Sequence, residues 1–253
     1  MRLRDVALFV PCYVDQLAPR VAWATVRVLE RAGCRVHYDA EQTCCGQPFL
    51  NTGALPEATR LARRHAERFA GHDTVVAPSG SCVATVRRRF SELGVGAEGP
   101  DPQSRTRTFE LAEFLVDELG VPELGARFPH RVAVLQGCHG LRDLGLGPGS
   151  EGGPDAPARR DVVSLLLDRV AGLERVEASR PDDCCGFGGT FAVKYPELSA
   201  RMGRARMADF AAAEFVVGTD VSCLLHLEGL RARAGQGPRP VHLAEVLASG
   251  AET

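Results

Sequence analysis

Several common functions are excluded by what this chain has little of. Lys194 is its only lysine, and the other 29 basic residues are arginines. One tryptophan, Trp23, and three tyrosines leave no aromatic platform for stacking nucleobases. A formal net charge of -2 gives no electrostatic reason for binding nucleic acid or an anionic membrane. No apolar run approaches the roughly 20 residues that a bilayer requires. The opening run from Val6 to Val10 is followed by Pro11, which is short of the about 7–15 apolar residues of a secretory leader. A cytoplasmic address, where thiols stay reduced, is therefore expected. No serine–histidine–acid set, paired-carboxylate site or metalloprotease helix stands out. The nine cysteines contain no C-x2-C pair.

What the chain does have is a cysteine pattern written twice. Cys12, Cys44-Cys45 and Cys82 recur as Cys138, Cys184-Cys185 and Cys223, which accounts for eight of the nine cysteines. Cys-Cys-Gly stands at both 44–46 and 184–186, and Ser-Cys at both 81–82 and 222–223. In a reduced compartment such cysteines are ligands or redox groups rather than a disulfide scaffold, and the odd count also fits poorly with full pairing. Cys34 has no counterpart and opens a strand, so it reads as a small core residue.

The repeat reaches beyond the cysteines. Val6-Ala-Leu-Phe-Val10 precedes Cys12 as Val132-Ala-Val-Leu135 precedes Cys138. Val75-Val76 precedes Cys82 as Val216-Val217 precedes Cys223, and 110–115 resembles 242–247. The same supersecondary unit built twice is the reading, with halves at 1–125 and 126–253. Strands are expected near 6–10, 34–38 and 74–77, then near 131–136, 173–178 and 215–218. Helices are expected at 20–31, 56–69 and 83–93, then near 158–170, 196–213 and 223–233. Strands alternating with helices predict an α/β fold of parallel sheets flanked by helices. Ligands of such sheets collect beyond the carboxyl ends of strands, where these cysteines fall. The stretches 94–107 and 141–159 read as insertions, and Gly145-Leu-Gly-Pro-Gly149 as a loop rather than a phosphate cradle.

Thiolates select zinc and iron–sulfur clusters. Structural zinc sites prefer C-x2–4-C spacing, whereas adjacent thiolates are easily placed on two irons of one cluster, usually held by four cysteines. Iron–sulfur binding is thus the leading reading. A zinc-binding interaction module and a thiol–disulfide switch through the two vicinal pairs are the alternatives. Gly46 and Gly186 are expected to let the backbone pass close to an inorganic core.

Cys44-Cys-Gly-Gln-Pro48, Pro78-Ser-Gly-Ser-Cys82 and Cys184-Cys-Gly-Phe-Gly-Gly-Thr190 resemble, in order and over essentially the whole chain, the cysteine-rich CCG-domain family. That family includes subunits of heterodisulfide reductase and glycolate oxidase. The resemblance implies iron–sulfur ligation by Cys12, Cys44, Cys45 and Cys82 and by Cys138, Cys184, Cys185 and Cys223. The family's fullest motif carries a fifth cysteine, and here Ser79 and Asp220 stand at that position. Four thiolates fit a [4Fe-4S] cubane, up to two in all, better than a five-ligand noncubane cluster. The stand-alone two-repeat form implies electron transfer in the oxidation of L-lactate to pyruvate, with lactate utilization proteins B and C as partners. A glycolate oxidase- or heterodisulfide reductase-type complex is the alternative.

Accessory positions are expected around the tetrads. Asp220 is an optional oxygen ligand, though capping the helix that follows is the simpler task for it and for Ser79. His139 and His226 are neighbours of Cys138 and Cys223, and their counterparts Tyr13 and Thr85 do not ligate readily. Lys194 is expected to be solvated.

Overall fold

The computed structural model describes residues 3–96, 106–149 and 160–250. The first half runs β1 (Arg4–Leu8), α1 (Cys12–Leu17), α2 (Pro19–Arg31), β2 (Cys34–Tyr38), α3 (Gln47–Thr52), α4 (Leu55–Phe69), β3 (Thr74–Ala77), α5 (Gly80–Ala84), β4 (Arg107–Glu110) and α6 (Leu111–Glu113). The second half runs β5 (Arg131–Leu135), α7 (Val162–Leu167), β6 (Glu174–Arg175), α8 (Thr190–Lys194), α9 (Pro196–Asp209), β7 (Phe215–Gly218), α10 (Val221–Ala234), β8 (Arg239–His242) and α11 (Leu243–Ala248). Wider π turns continue α5 through Thr85–Arg89 and α6 through Phe114–Glu118, and a third spans His139–Asp143.

Each half forms an all-parallel four-stranded sheet, ordered β2-β1-β3-β4 and β6-β5-β7-β8. The order is the same under the repeat, so the α/β architecture of two pseudo-equivalent halves stands. The chain winds outward in opposite directions from the central pair of strands, and a crevice opens beyond their carboxyl ends. That crevice lies after β1 and β3 in one half and after β5 and β7 in the other. Cys12 and Cys82 flank the first; Cys138 and Cys223 flank the second.

Helix starts follow local chemistry. Proline sits in the first turn of α2, α4 and α9, where its missing N–H leaves nothing unsatisfied. Strong amphipathy of α2 buries Val21, Ala24, Val28 and Leu29 against the sheet. Two edge strands, β4 and β8, were not expected. Arg107-Thr-Phe-Glu110 and Arg239-Pro-Val-His242 are short and polar-ended, and Pro240 is tolerated because β8 pairs on one side only. The strand expected over 173–178 shrinks to Glu174–Arg175, also at an edge, although Val176 N–H still reaches Val132 O at 2.8 Å. Much of both expected insertions lies outside the described residues.

The core explains why the halves meet. One hydrophobic cluster contains Val6, Leu8, Val28 and Phe114 together with Val132, Leu166, Val217 and Leu247. Two smaller clusters are private, one around Phe9, Phe69 and Phe90, the other around Leu135, Phe210 and Leu227. Each sheet thus has one face on a shared core and one on its own. The last helix of each half crosses over: α11 packs on α2, and α6 with its continuation packs on α7. Arg20 Nε to Glu245 Oε1 (2.7 Å) and Arg31 Nη1 to Ala248 O (3.0 Å) tie the first exchange. Cys34 is buried in the shared core, as its lone position in the sequence implied.

Candidate functional site

One loop and two helix starts deliver each set of four sulfurs. In the first half Cys12 opens α1 and Cys82 lies in α5, while Cys44-Cys45 sit in the loop between β2 and α3. That loop is tied down by Gln42, whose Oε1 accepts from Val10 N (2.7 Å) and whose Nε2 donates to Leu8 O and Asp39 O. In the second half the same task falls to Arg206 of α9. Its guanidinium donates to Arg180 O (2.7 Å) and Pro181 O (2.9 Å), pairs with Asp209 (2.7 Å) and lies 4.1 Å over the Phe210 ring. Sequence reasoning missed both residues, because neither belongs to a cysteine motif.

The vicinal pairs end on glycines in the left-handed region, Gly46 at φ 86° and Gly186 at φ 89°. The crowding that demands glycine comes from the neighbouring helix. A Cβ on Gly46 would lie 3.3 Å from Ala58 O, and on Gly186 2.5 Å from Ser199 O. Backbone handedness and the α4 or α9 contact are therefore enough to require glycine at both positions.

The sulfurs converge. Cys12 Sγ is 3.6 Å from Cys44 Sγ, Cys45 Sγ is 3.5 Å from Cys82 Sγ, and the vicinal sulfurs of 44 and 45 also interact. The second half repeats the order Cys138, Cys184, Cys185, Cys223, with the last two sulfurs 2.9 Å apart. All nine cysteines are free thiols. Backbone amides point at the sulfurs: Gly46 N to Cys44 (3.4 Å), Gly186 N to Cys184 (3.4 Å) and Phe187 N to Cys185 (3.5 Å).

This geometry polarises the tetrads. Thiol donors from Cys12 and then Cys45, helped by the Gly46 amide, hold Cys44 down to about 3 against its burial. Cys138 and Cys185, the Gly186 amide and Arg142 hold Cys184 down to about 2. Cys12, Cys45, Cys138 and Cys185 are pushed up, first by donating to a neighbouring sulfur and then by burial.

Both tetrads open on one cavity of about 450 Å³, lined by all eight of these cysteines with Ser79, His139 and Asp220. Tyr13 and Phe187 meet edge-on across it at 5.9 Å, one from each half. Gln47, Asn51 and Thr190 line it as well. Gln47 and Tyr13 directly follow cysteine motif residues, the one signal that could have found them. No arginine or lysine is among the lining residues.

The accessory residues divide. His139 Nδ1 is 3.6 Å from Cys138 Sγ, and its Nε2 faces Gln47 Nε2 at 3.2 Å. The amide donates there, so the imidazole N–H points to sulfur. His226 instead faces Ser199 O at 3.3 Å, and burial lowers its pKa. Lys194 is exposed. Ser79 caps its own helix, accepting from Cys82 N at 3.3 Å. Asp220 does not, contrary to expectation: its side chain makes no bond to α10, and its Oδ1 accepts from Ser79 Oγ (2.7 Å) and Ser81 Oγ (2.8 Å) of the other half.

The donor chemistry fits an iron–sulfur group. Each half brings together four cysteine thiols, the number that commonly holds one cluster, with amide N–H groups aimed at three of the eight sulfurs in all. The fold and site define a duplicated cysteine-rich α/β protein whose two thiol tetrads share one cavity. The chain belongs to the CCG cysteine-rich domain family, whose model matches residues 6–87 and 132–228. It is similar to proteins named Lactate utilization protein A from several bacteria. The relative from Oceanobacillus iheyensis is 38% identical over 96% of each chain, and that from Geobacillus kaustophilus 39% identical over 96% of this chain and 98% of the relative. The Bacillus subtilis relative is 35% identical over 96% of this chain and 99% of its own length. Among solved structures, an aspartate racemase homologue from Pyrococcus horikoshii covers 97% of this chain at 9% identity, with a TM-score of 0.34 that carries no structural argument.

Proposed function

We propose that this chain is an iron–sulfur electron-transfer subunit of a system that oxidises L-lactate to pyruvate. Cys12, Cys44, Cys45 and Cys82 would hold one cluster, and Cys138, Cys184, Cys185 and Cys223 the other. The observation that carries the reading is two chains of four mutually contacting sulfurs opening on a single cavity. Four cysteines per half match the usual ligand number of an iron–sulfur cluster.

Bound clusters supply single-electron acceptance and release. The protein's own residues do the rest. The four thiols of each half would have to give up their protons to hold a cluster, so loading would depend on pH. Amide donors from Gly46, Gly186 and Phe187 would withdraw charge from the sulfurs of a bound cluster and so favour its reduced state. Tyr13 and Phe187 meet edge-on between the halves and line the cavity. The lactate assignment rests on the relatives' name, and lactate utilization proteins B and C are the matching partners. A cytoplasmic location goes with free thiols. Among the described residues no helix is long and apolar enough to cross a membrane.

Anaerobic purification with iron and sulfide analysis and electron paramagnetic resonance tests the reading. Cys45→Ser and Cys185→Ser should each remove about half of the iron, and unchanged iron would refute the ligand set. The zinc reading draws on one observation: sulfur spacings of 3.5–3.6 Å approach the about 3.8 Å expected between thiolates on one tetrahedral metal. Colourless protein containing zinc and no iron would establish that alternative.

A further inference from the structure

We propose that Asp220 is a positioning residue that acts across the seam between the halves, setting the helix that carries Cys82 rather than the one that carries Cys223. It extends the reading of the tetrads as the functional site, and it concerns how one tetrad depends on the other half.

Asp220 stands immediately before α10, the helix of Cys223, in extended backbone at φ -124° and ψ 112°. An aspartate there is well placed to bond the amides of its own helix, yet its side chain makes no such bond. Instead Oδ1 takes three donors from the first half: Ser79 Oγ at 2.7 Å, Ser81 Oγ at 2.8 Å and Ser81 N at 3.2 Å. Ser79 Oγ in turn accepts from Cys82 N at 3.3 Å. A continuous relay therefore runs from the carboxylate, through the Ser79 hydroxyl 141 positions away in the chain, to the amide of Cys82.

The slot for the carboxylate is built of glycine. A Cβ on Gly137 would come within 3.2 Å of Asp220 Oδ2, and one on Gly80 within 3.4 Å of it and 3.2 Å of Gly140 Cα. Asp220 and Ser79 are 4% and 5% exposed, so these bonds are shielded from water and worth more than surface ones. Both serine hydroxyls and the Ser81 amide converge on the same carboxylate oxygen. The repeat makes the device one-sided. Ser79, at the equivalent position, caps its own helix, so the first tetrad leans on the second half and the reverse bond is not made.

The test uses metal-free, reduced, full-length protein, so it does not depend on the chain holding iron at all. Iodoacetamide labelling followed by peptide mass spectrometry reads each cysteine. Asp220→Ala should raise the labelling rate of Cys82 roughly tenfold, the loss expected for one hydrogen bond to a charged group. Cys223, three positions from the substitution, should change less than about twofold, because that carboxylate holds nothing on α10. Asp220→Asn keeps the Oδ1 acceptor and should restore most of the protection. Equal exposure of Cys82 and Cys223, or exposure of Cys223 alone, would overturn the proposal, as would unchanged Cys82. If Asp220→Ala does not fold by circular dichroism, Ser81→Ala removes a donor without touching charge. It should raise Cys82 labelling about threefold, and no rise there would equally overturn it.

Discussion

The two halves share strand order, cysteine order and cavity, yet they hold equivalent positions with different chemistry. His65 in α4 and Arg206 in α9 occupy matching places, each against a phenylalanine, Phe69 or Phe210. His65 sits in an aromatic box with Phe9 and Phe90 and is kept neutral by burial, its pKa pushed down to about 4. Arg206 keeps a cation buried by pairing it with Asp209 and giving it two loop carbonyls. Glu110 and His242 form a second such pair, both capping the helix after an edge strand. The lesson is that a repeated fold preserves geometry first, and each half supplies its own charge balance.

The largest difference should appear at the 65/206 pair. Arg206→Leu strands the Asp209 carboxylate and frees the loop before Cys184, at an expected cost of about 3–5 kcal/mol. His65→Leu removes only a neutral ring and should cost about 1–2 kcal/mol. Denaturant unfolding of the two variants checks the ratio, and equal losses would break the comparison.

Next come the glycines after the vicinal pairs. Gly186→Ala must place a Cβ 2.5 Å from Ser199 O and 2.8 Å from Met202 Cβ, while Gly46→Ala meets Ala58 O at 3.3 Å. Both bear the left-handed cost of about 1–2 kcal/mol, and the first adds overpacking of about 1–3 kcal/mol. Thermal melts should therefore show Gly186→Ala as clearly the less stable protein.

The smallest effect is a slope in pH. Burial raises Glu110 to about 8, opposed by amide bonds from Ala112 and Glu113 and reinforced by the charges of Asp220 and Glu113. Its Oε1 has no partner, which suits a protonated carboxyl. Because the folded pKa is raised, the stabilisation is complete below the ordinary carboxyl value and is lost as pH rises through about 8. Glu110→Gln should abolish about 3 kcal/mol of decline between roughly pH 5 and 8. Burial lowers His242 instead, so its half loses stability toward acid, below the ordinary imidazole range. Stability curves of wild type and Glu110→Gln that stay parallel would remove the contrast.

Much of the site was legible because its signals are local. Cys-Cys-Gly and Ser-Cys recur intact, and the runs before Cys12, Cys82, Cys138 and Cys223 read as strands whose ends gather ligands. The edge strands β4 and β8 were not legible, since four residues with polar ends carry no periodic signal. Gln42 and Arg206 escaped for another reason: what they hold is chosen by folding, not by neighbours in the chain.

By itself the sequence determined the donor set, the duplication and the alternation of strand and helix, because thiol chemistry and hydrophobic period are properties of short segments. Tertiary structure alone decided that α11 and α6 trade places on each other's halves, that both tetrads face one cavity, and that Asp220 serves the opposite helix. Those outcomes follow from packing two apolar sheet faces against a common core, which brings together residues that no local pattern connects.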